Sequence, residues 1–127
     1  MNREKLQLIL VVDRDGETLS SLYSILDSGG YLVATVHPGI NALRYVAEHK
    51  PDCVIAAKEA TSRTGLDLIG GIRRISSDIR IIQLLSSGDQ AGAAEALESG
   101  AHQLLFRPYT RDEVLGLVEG SYPAAHE

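Results

Sequence analysis

The residues that could carry chemistry in this chain lie where predicted apolar strands end. The apolar run 6–12 ends in an acidic turn that begins with Asp13, and the run 53–57 ends at Ala57 before a polar loop. In an open parallel sheet, ligands and reactive groups collect beyond the carboxyl ends of the strands. Ala57 therefore occupies a position where a reactive side chain is expected, and its methyl group supplies none.

Other candidates for catalysis or metal binding are weaker. Ser86 and Ser87 have no local histidine and acidic partner, so they are interpreted as loop and helix-capping residues rather than nucleophiles. Cys53 lies in a predicted buried strand, where a packed and inert thiol is expected. The histidines are scattered over different predicted elements, which does not favour a metal site. They are His37, His49, His102 and His126.

The composition indicates one globular domain. A chain of 127 residues can bury roughly two-thirds of the surface that it exposes when unfolded. The formal net charge of -5 gives no electrostatic reason to bind nucleic acid directly or to bind an anionic membrane. A single cysteine excludes an internal disulfide. Because no export signal is recognised at the amino terminus, a cytoplasmic location is expected.

Five predicted strands alternate with five predicted helices. Continuous apolar runs predict the strands, and apolar residues at helical spacing predict the helices. Gly29 and Gly100 are expected to end helices, and Thr110 with Glu113 resembles a capping box. The alternation predicts a doubly wound parallel sheet with right-handed crossovers and helices on both faces. The predicted strands are residues 6–12, 31–36, 53–57, 80–85 and 103–106.

Short motifs in a fixed order support a resemblance to a known family. They are Val-Val-Asp at the end of the first strand, Pro51-Asp52 before the third strand, Gly65-Leu66 at the third helix, Gly100-Ala101 before the fifth strand, and Arg107-Pro108 after it. From about residue 6 to about residue 121, the chain resembles the receiver domains of two-component response regulators. The resemblance implies an α/β, flavodoxin-like (CheY-like) fold with five parallel strands in the order 2-1-3-4-5. Residues 1–121 then form a receiver-like domain, and residues 122–127 form a C-terminal tail or the start of a linker.

The chain departs from the residues that the resemblance implies for phosphorylation. Phosphorylated receivers keep two acids after strand one, a phosphoacceptor aspartate at the end of strand three, and a lysine after strand five. Asp13 matches the first acid, whereas Arg14 and Ala57 replace the second acid and the phosphoacceptor. Arg107 replaces the lysine, and Leu104 replaces the aromatic residue expected on strand five.

The Thr/Ser position that the family keeps at the end of strand four has two candidates here. Counting back from Arg107 without gaps puts Leu85 at this position. A one-residue deletion in the following loop puts Ser86 there instead.

These departures predict a domain that is neither phosphorylated nor an enzyme. Alanine has no nucleophile that could accept a phosphoryl group. Asp52 lies five residues back along the strand, about 16 Å away, and therefore cannot replace an aspartate at position 57. Glu59 is closer, but it is interpreted as a solvated loop residue.

A magnesium site is not expected either. Mg²⁺ is held through carboxylates and water, but here Arg14 and Arg107 oppose the single charge of Asp13. Asp15 could approach Asp13 only if the turn shifted by one residue. No cofactor is therefore predicted.

Asp13 and Arg107 follow strands that end at the same edge of the predicted sheet. An ion pair, direct or through water, is expected between them, because an arginine can span the space that Ala57 leaves. Arg14 either points into this pocket or points to solvent, and the sequence leaves both arrangements open.

The sequence thus favours a non-phosphorylatable pseudo-receiver that acts in signal transduction as a protein interaction or dimerisation module. The resemblance implies contacts through helix four, strand five and helix five, and a C-terminal output domain beyond this chain. Residues expected on that face are Leu97, Leu104, Tyr109, Val114 and Val118. One alternative is a receiver phosphorylated at a non-standard acceptor in a phosphorelay. Another is a flavodoxin-like module that binds a small anion or a nucleotide.

Overall fold

A computed structural model confirms the predicted alternation of strands and helices. It describes residues 7–38, 40–58 and 65–119. The strands are β1 (Leu8–Val12), β2 (Leu32–Val36), β3 (Cys53–Ala57), β4 (Arg80–Leu85) and β5 (Gln103–Phe106). The helices are α1 (Gly16–Ser28), α2 (Ile40–His49), α3 (Gly65–Ile75), α4 (Gln90–Ser99) and α5 (Arg111–Glu119). The predicted tail at 122–127 and the polar loop at 59–64 lie outside the described residues.

The strands form one parallel sheet in the order β2-β1-β3-β4-β5, as the resemblance implied. Val12 pairs with Ala56, and Leu85 pairs with Phe106. Because all five strands run in the same direction, their carboxyl ends meet at one edge. That edge carries the residues that follow β1, β3, β4 and β5.

Burial follows the position of each strand in the sheet. Every residue of β3 and β4 is buried, whereas the edge strand β2 has no fully buried residue. On one face α1 packs against α5, and on the other α3 packs against both α2 and α4. Central parallel strands covered on both faces require continuous apolar sequence, which is the signal that predicted them.

Local signals in the sequence also set the helix ends. Thr110 and Glu113 form the predicted capping box, with each backbone N–H donating to the other side chain at 2.9 and 3.1 Å. Gly100 ends α4 with a φ of 118°, in the left-handed region that favours glycine. Within α3, a Cβ atom on Gly71 would lie 2.9 Å from the Leu43 side chain. The glycine that weakens this helix locally therefore allows α2 and α3 to approach closely.

Candidate functional site

Asp13 is the buried acid at the carboxyl edge of the sheet. It directly follows β1, and its side chain is only 3% exposed. Its Oδ1 accepts the Arg14 backbone N–H at 2.7 Å, and its Oδ2 lies 3.5 Å from Nη2 of Arg107. The structure thus contains the ion pair expected between these residues, and the contact is direct. At 3.5 Å the contact is looser than a short charge-assisted hydrogen bond.

Arg14 and Asp15 border the same cleft but remain exposed. The cleft is lined by Asp13, Arg14, Asp15 and Arg107. The Asp15 carboxylate accepts hydrogen bonds from the backbone N–H and the hydroxyl of Thr18, at 3.2 and 2.8 Å. The hydrogen bond from the Thr18 hydroxyl is the main reason that the pKa of Asp15 is lowered. Asp15 is therefore occupied in capping α1.

The neighbouring strand ends supply no reactive group to this edge. Ala57 ends β3 and is 1% exposed, while Leu85 ends β4 and is fully buried. Ser86 follows β4 as an exposed loop residue. Asp52 lies at the opposite edge, where its carboxylate accepts the Leu8 backbone N–H at 2.8 Å. Glu59, the other acid considered, lies outside the described residues.

Lys58 forms an ion pair that the sequence did not predict. Its Nζ lies 2.8 Å from Oδ2 of Asp89, which is the N-cap residue of α4. The hydrogen bond from Lys58 is the main cause that lowers the pKa of Asp89. The Lys58 side chain remains 40% exposed while it makes this contact. The two residues are 31 positions apart, and both lie next to loops, so no sequence period connects them.

The surface formed by α4, β5 and α5 differs from the predicted one. Val114 and Val118 are 0% and 3% exposed, so they belong to the core and cannot contact a partner. Their i, i+4 spacing places both on the buried stripe of α5. Leu97 is 51% exposed, and Leu104 is partly buried. Tyr109 is partly buried, and its hydroxyl lies 3.1 Å from the Ser21 hydroxyl on α1.

A groove between β5 and α5 is the main apolar feature of this surface. We call it the β5–α5 groove. Phe106, for which no sequence pattern predicted a role, is 39% exposed and lines this groove. The other lining residues are Ser87, Leu104, Leu105, Arg107, Pro108, Asp112, Glu113, Gly116 and Leu117. Because Arg107 also contacts Asp13, the groove reaches the cleft at the edge of the sheet.

Arg80 is a buried charge that no sequence pattern predicted. It opens β4 and is 3% exposed. Its guanidinium donates to Oε1 of Gln103 and to the backbone carbonyls of Leu117 and Val118, at 2.9 to 3.2 Å. Those carbonyls lie in the last turn of α5, where a positive charge is also favoured by the helix dipole. Arg80 therefore fixes the end of α5 to β4 and β5.

Cys53 is a buried residue of β3. Burial raises the pKa of the Cys53 thiol to about 12, so the thiol stays protonated and inert at neutral pH. The described residues contain no group of three or more His, Cys, Asp or Glu side chains placed to hold a metal ion. Among the described helices, none combines the length and apolar character needed to cross a membrane.

Comparisons with known proteins agree with this architecture. The family model of the response regulator receiver domain matches residues 9–119. The transcriptional regulatory protein KdpE of Mycobacterium tuberculosis is 34% identical over 114 residues, which are 90% of this chain and 50% of KdpE. PrrA of Mycobacterium bovis is 29% identical over 87% of this chain and 48% of PrrA. The chain thus spans about half the length of the curated relatives that it matches.

Solved structures show the same fold. A response regulator receiver domain protein from Clostridium thermocellum superposes with a TM-score of 0.78 and 28% identity, covering 86% of this chain and 88% of that one. A CheY-like receiver domain protein from Methanospirillum hungatei gives a TM-score of 0.82 at 19% identity, over 90% and 91% of the two chains. At that identity, the second likeness concerns the fold alone.

Proposed function

The chain belongs to the response regulator receiver domain family, and we propose that it is a receiver that is not phosphorylated and that acts by binding other proteins. Receiver domains are generally signalling modules rather than enzymes. The proposal concerns what replaces phosphorylation in this chain.

The main observation behind this proposal is the alanine at position 57. It ends the central strand β3, at the edge of the sheet that also carries Asp13, and it is 1% exposed. Phosphoryl transfer to a protein needs a nucleophilic oxygen held in line with the donor, and a methyl group has none. Leu85, at the end of the adjacent strand β4, is also apolar and buried. A receiver with Ala57 at the end of β3 has no acceptor at the family's position.

The charges around Asp13 support the proposal that no metal ion binds at this edge of the sheet. Family members that are phosphorylated use Mg²⁺, which is held through carboxylate oxygens and water. Here Asp13 already faces Arg107 and accepts the Arg14 N–H, while Asp15 caps α1. The side chain of Ala57 contributes no oxygen. These residues do not fit a magnesium site, so no step of the proposed function depends on the ion.

The β5–α5 groove is the surface that we propose for protein contacts. Its apolar wall includes Leu104 and Phe106, and its rim carries Asp112 and Glu113. An exposed aromatic side chain beside a concave apolar surface with a polar rim is typical of protein interfaces. The partner is a second copy of this chain or another signalling protein, including an output domain of the kind that the length of its relatives suggests. We further propose that the protein acts in the cytoplasm.

Treatment with phosphoryl donors tests this function directly. The chain is incubated with acetyl phosphate and Mg²⁺, and its intact mass is measured. In parallel, amide spectra are recorded with beryllofluoride and Mg²⁺. We expect no adduct and no large shift around residues 13, 57 and 107. A stoichiometric phosphoryl adduct would establish a non-standard acceptor, and its position would be found by peptide mapping. Saturable shifts with phosphate alone would instead indicate an anion-binding module.

A further inference from the structure

We propose that the ion pair between Lys58 and Asp89 favours one arrangement of the loop between β4 and α4, so that the position of the start of α4 is biased without phosphorylation. This inference rests on the proposed function, because it assigns a fixed charge pair to a site where phosphorylation is absent. It concerns the contact between the end of β3 and the residue that caps α4.

The position of Lys58 allows its side chain to reach from the end of β3 to Asp89. Lys58 directly follows Ala57, at the end of the central strand, and its Nζ extends to Asp89 at 2.8 Å. Asp89 directly precedes α4 and follows β4 by four residues. The Lys58 side chain therefore connects the end of β3 to the residue that caps α4.

Asp89 is held by several contacts at once. Its Oδ1 accepts the Gly92 N–H at 2.9 Å, while its Oδ2 accepts from Lys58. Its backbone N–H donates to the Ser86 carbonyl at 3.2 Å, and its own carbonyl accepts the Ala93 N–H at 3.1 Å. Both carboxylate oxygens are thus used, one by the helix and the other by Lys58.

Gly92 leaves the space that this carboxylate needs. A Cβ atom at position 92 would overlap the Asp89 carboxylate. The short separation between Asp89 and the first turn of α4 therefore depends on the absence of a side chain at Gly92. The loop, the cap and the ion pair form a single arrangement around one carboxylate.

The ion pair is strong enough to shift the equilibrium between loop conformations but too weak to hold the loop rigidly. The Lys58 side chain is 40% exposed and that of Asp89 is 22% exposed, so water and salt screen their attraction. Exposed ion pairs of this kind change an equilibrium by up to about fivefold. That is enough to shift the population of a short loop, and it makes the shift sensitive to ionic strength.

Amide hydrogen exchange, followed by NMR on the full chain, tests the proposal. Lys58→Gln removes the charge, and Asp89→Asn removes the other charge but keeps an oxygen that can cap Gly92. Each variant should speed exchange of the Asp89, Gly92 and Ala93 amides by up to about fivefold. The double variant should exchange no faster than Asp89→Asn alone, because Asp89→Asn already removes the attraction to Lys58. Lys58→Arg should retain slow exchange, and high salt should bring the natural chain close to Lys58→Gln.

Arg44→Gln is the matched control, since Arg44 is an exposed cation on α2. It should leave exchange in the loop unchanged. Unaltered exchange in Lys58→Gln, or additive effects in the double variant, would overturn the role of the pair. That failure is distinct from failure of the proposed function, which is decided by phosphoryl or beryllofluoride adducts on the natural chain.

Discussion

Asp13 and Arg107 are 94 residues apart in sequence, yet they form an ion pair across the carboxyl edge of the sheet. The acid is buried, whereas the guanidinium side chain is 30% exposed. Because of this difference in burial, removing one residue should change the stability of the domain by a different amount from removing the other. Removing the arginine leaves a buried carboxylate with less compensation, while removing the acid leaves a cation that water can still reach.

We therefore expect Arg107→Gln to destabilise the domain more than Asp13→Asn does. Asp13→Asn keeps an oxygen for the Arg14 N–H and should cost about 1 kcal/mol, and Arg107→Gln should cost about 1–3 kcal/mol. Urea unfolding at neutral pH measures both. The double variant isolates the coupling between them, because Arg107 makes further contacts. Equal losses with no coupling would contradict an energetic role for this ion pair.

Restoring phosphorylation requires more than a nucleophile at position 57. Ala57→Asp supplies a carboxylate, but Arg14 still places a positive charge at the cleft where a metal would have to bind. We expect Ala57→Asp alone to react slowly with acetyl phosphate and Mg²⁺, and Ala57→Asp with Arg14→Asp to react faster. Intact mass over time measures the rates, with Arg14→Asp alone as the control. Rapid modification of the single variant Ala57→Asp would show that Arg14 does not oppose the metal.

The fold and the ion pair between Asp13 and Arg107 could be predicted from hydrophobic periodicity and sheet topology. Continuous apolar runs predicted β3 and β4 because both faces of these strands are covered, and the parallel order then brought Asp13 and Arg107 together. Lys58 and Asp89 were missed because their contact depends on the path of two loops. Val114 and Val118 were misassigned to the surface although their spacing already predicted burial. The family resemblance implied a contact surface there, whereas the apolar stripe of α5 packs into the core.

The β5–α5 groove should carry self-association if the domain dimerises as proposed. Phe106→Glu places a charge on its apolar wall and should weaken association by about tenfold or more, without unfolding the exposed strand end. Sedimentation velocity over a concentration series measures the effect. Tyr23→Glu is the matched control, because Tyr23 is 46% exposed and lies on α1. Natural chain that stays monomeric at the highest concentration would argue against dimerisation through this groove.

Arg80 should be among the residues most sensitive to substitution. Arg80→Met keeps much of the side-chain volume, but it leaves Gln103 and the Leu117 and Val118 carbonyls without these donors. We expect a loss of about 2 kcal/mol or more in the free energy of unfolding. Arg74→Met, which changes an exposed arginine on α3, should cost much less. Similar effects of the two substitutions would show that the buried guanidinium is not needed at the end of α5.

His102 should make the stability of the β4–β5 pairing depend on pH. Its Nδ1 accepts the Ile81 backbone N–H at 3.0 Å, an arrangement that requires the neutral ring. Burial lowers the pKa of His102 below its ordinary value of 6.5, and the positive charges of Arg73 and Arg80 lower it further. The unfolded chain therefore binds more protons than the folded one between the lowered pKa and 6.5. The contribution of His102 is fully present above 6.5 and is lost as the pH falls through the lowered pKa.

His102→Asn separates this titration from that of every other group. Asparagine places an oxygen where Nδ1 lies, so it can accept the Ile81 N–H but does not titrate. We expect the two chains to have similar free energies of unfolding at pH 7.5, and the natural chain to lose stability relative to His102→Asn as the pH is lowered to 5. Urea unfolding at several pH values measures this difference. The other histidines are present in both chains and cancel. If the free energies of unfolding of the natural chain and of His102→Asn change with pH in parallel, His102 is not the source of any loss of stability at low pH. The hydrogen bond from Ile81 would then not depend on the charge of the ring.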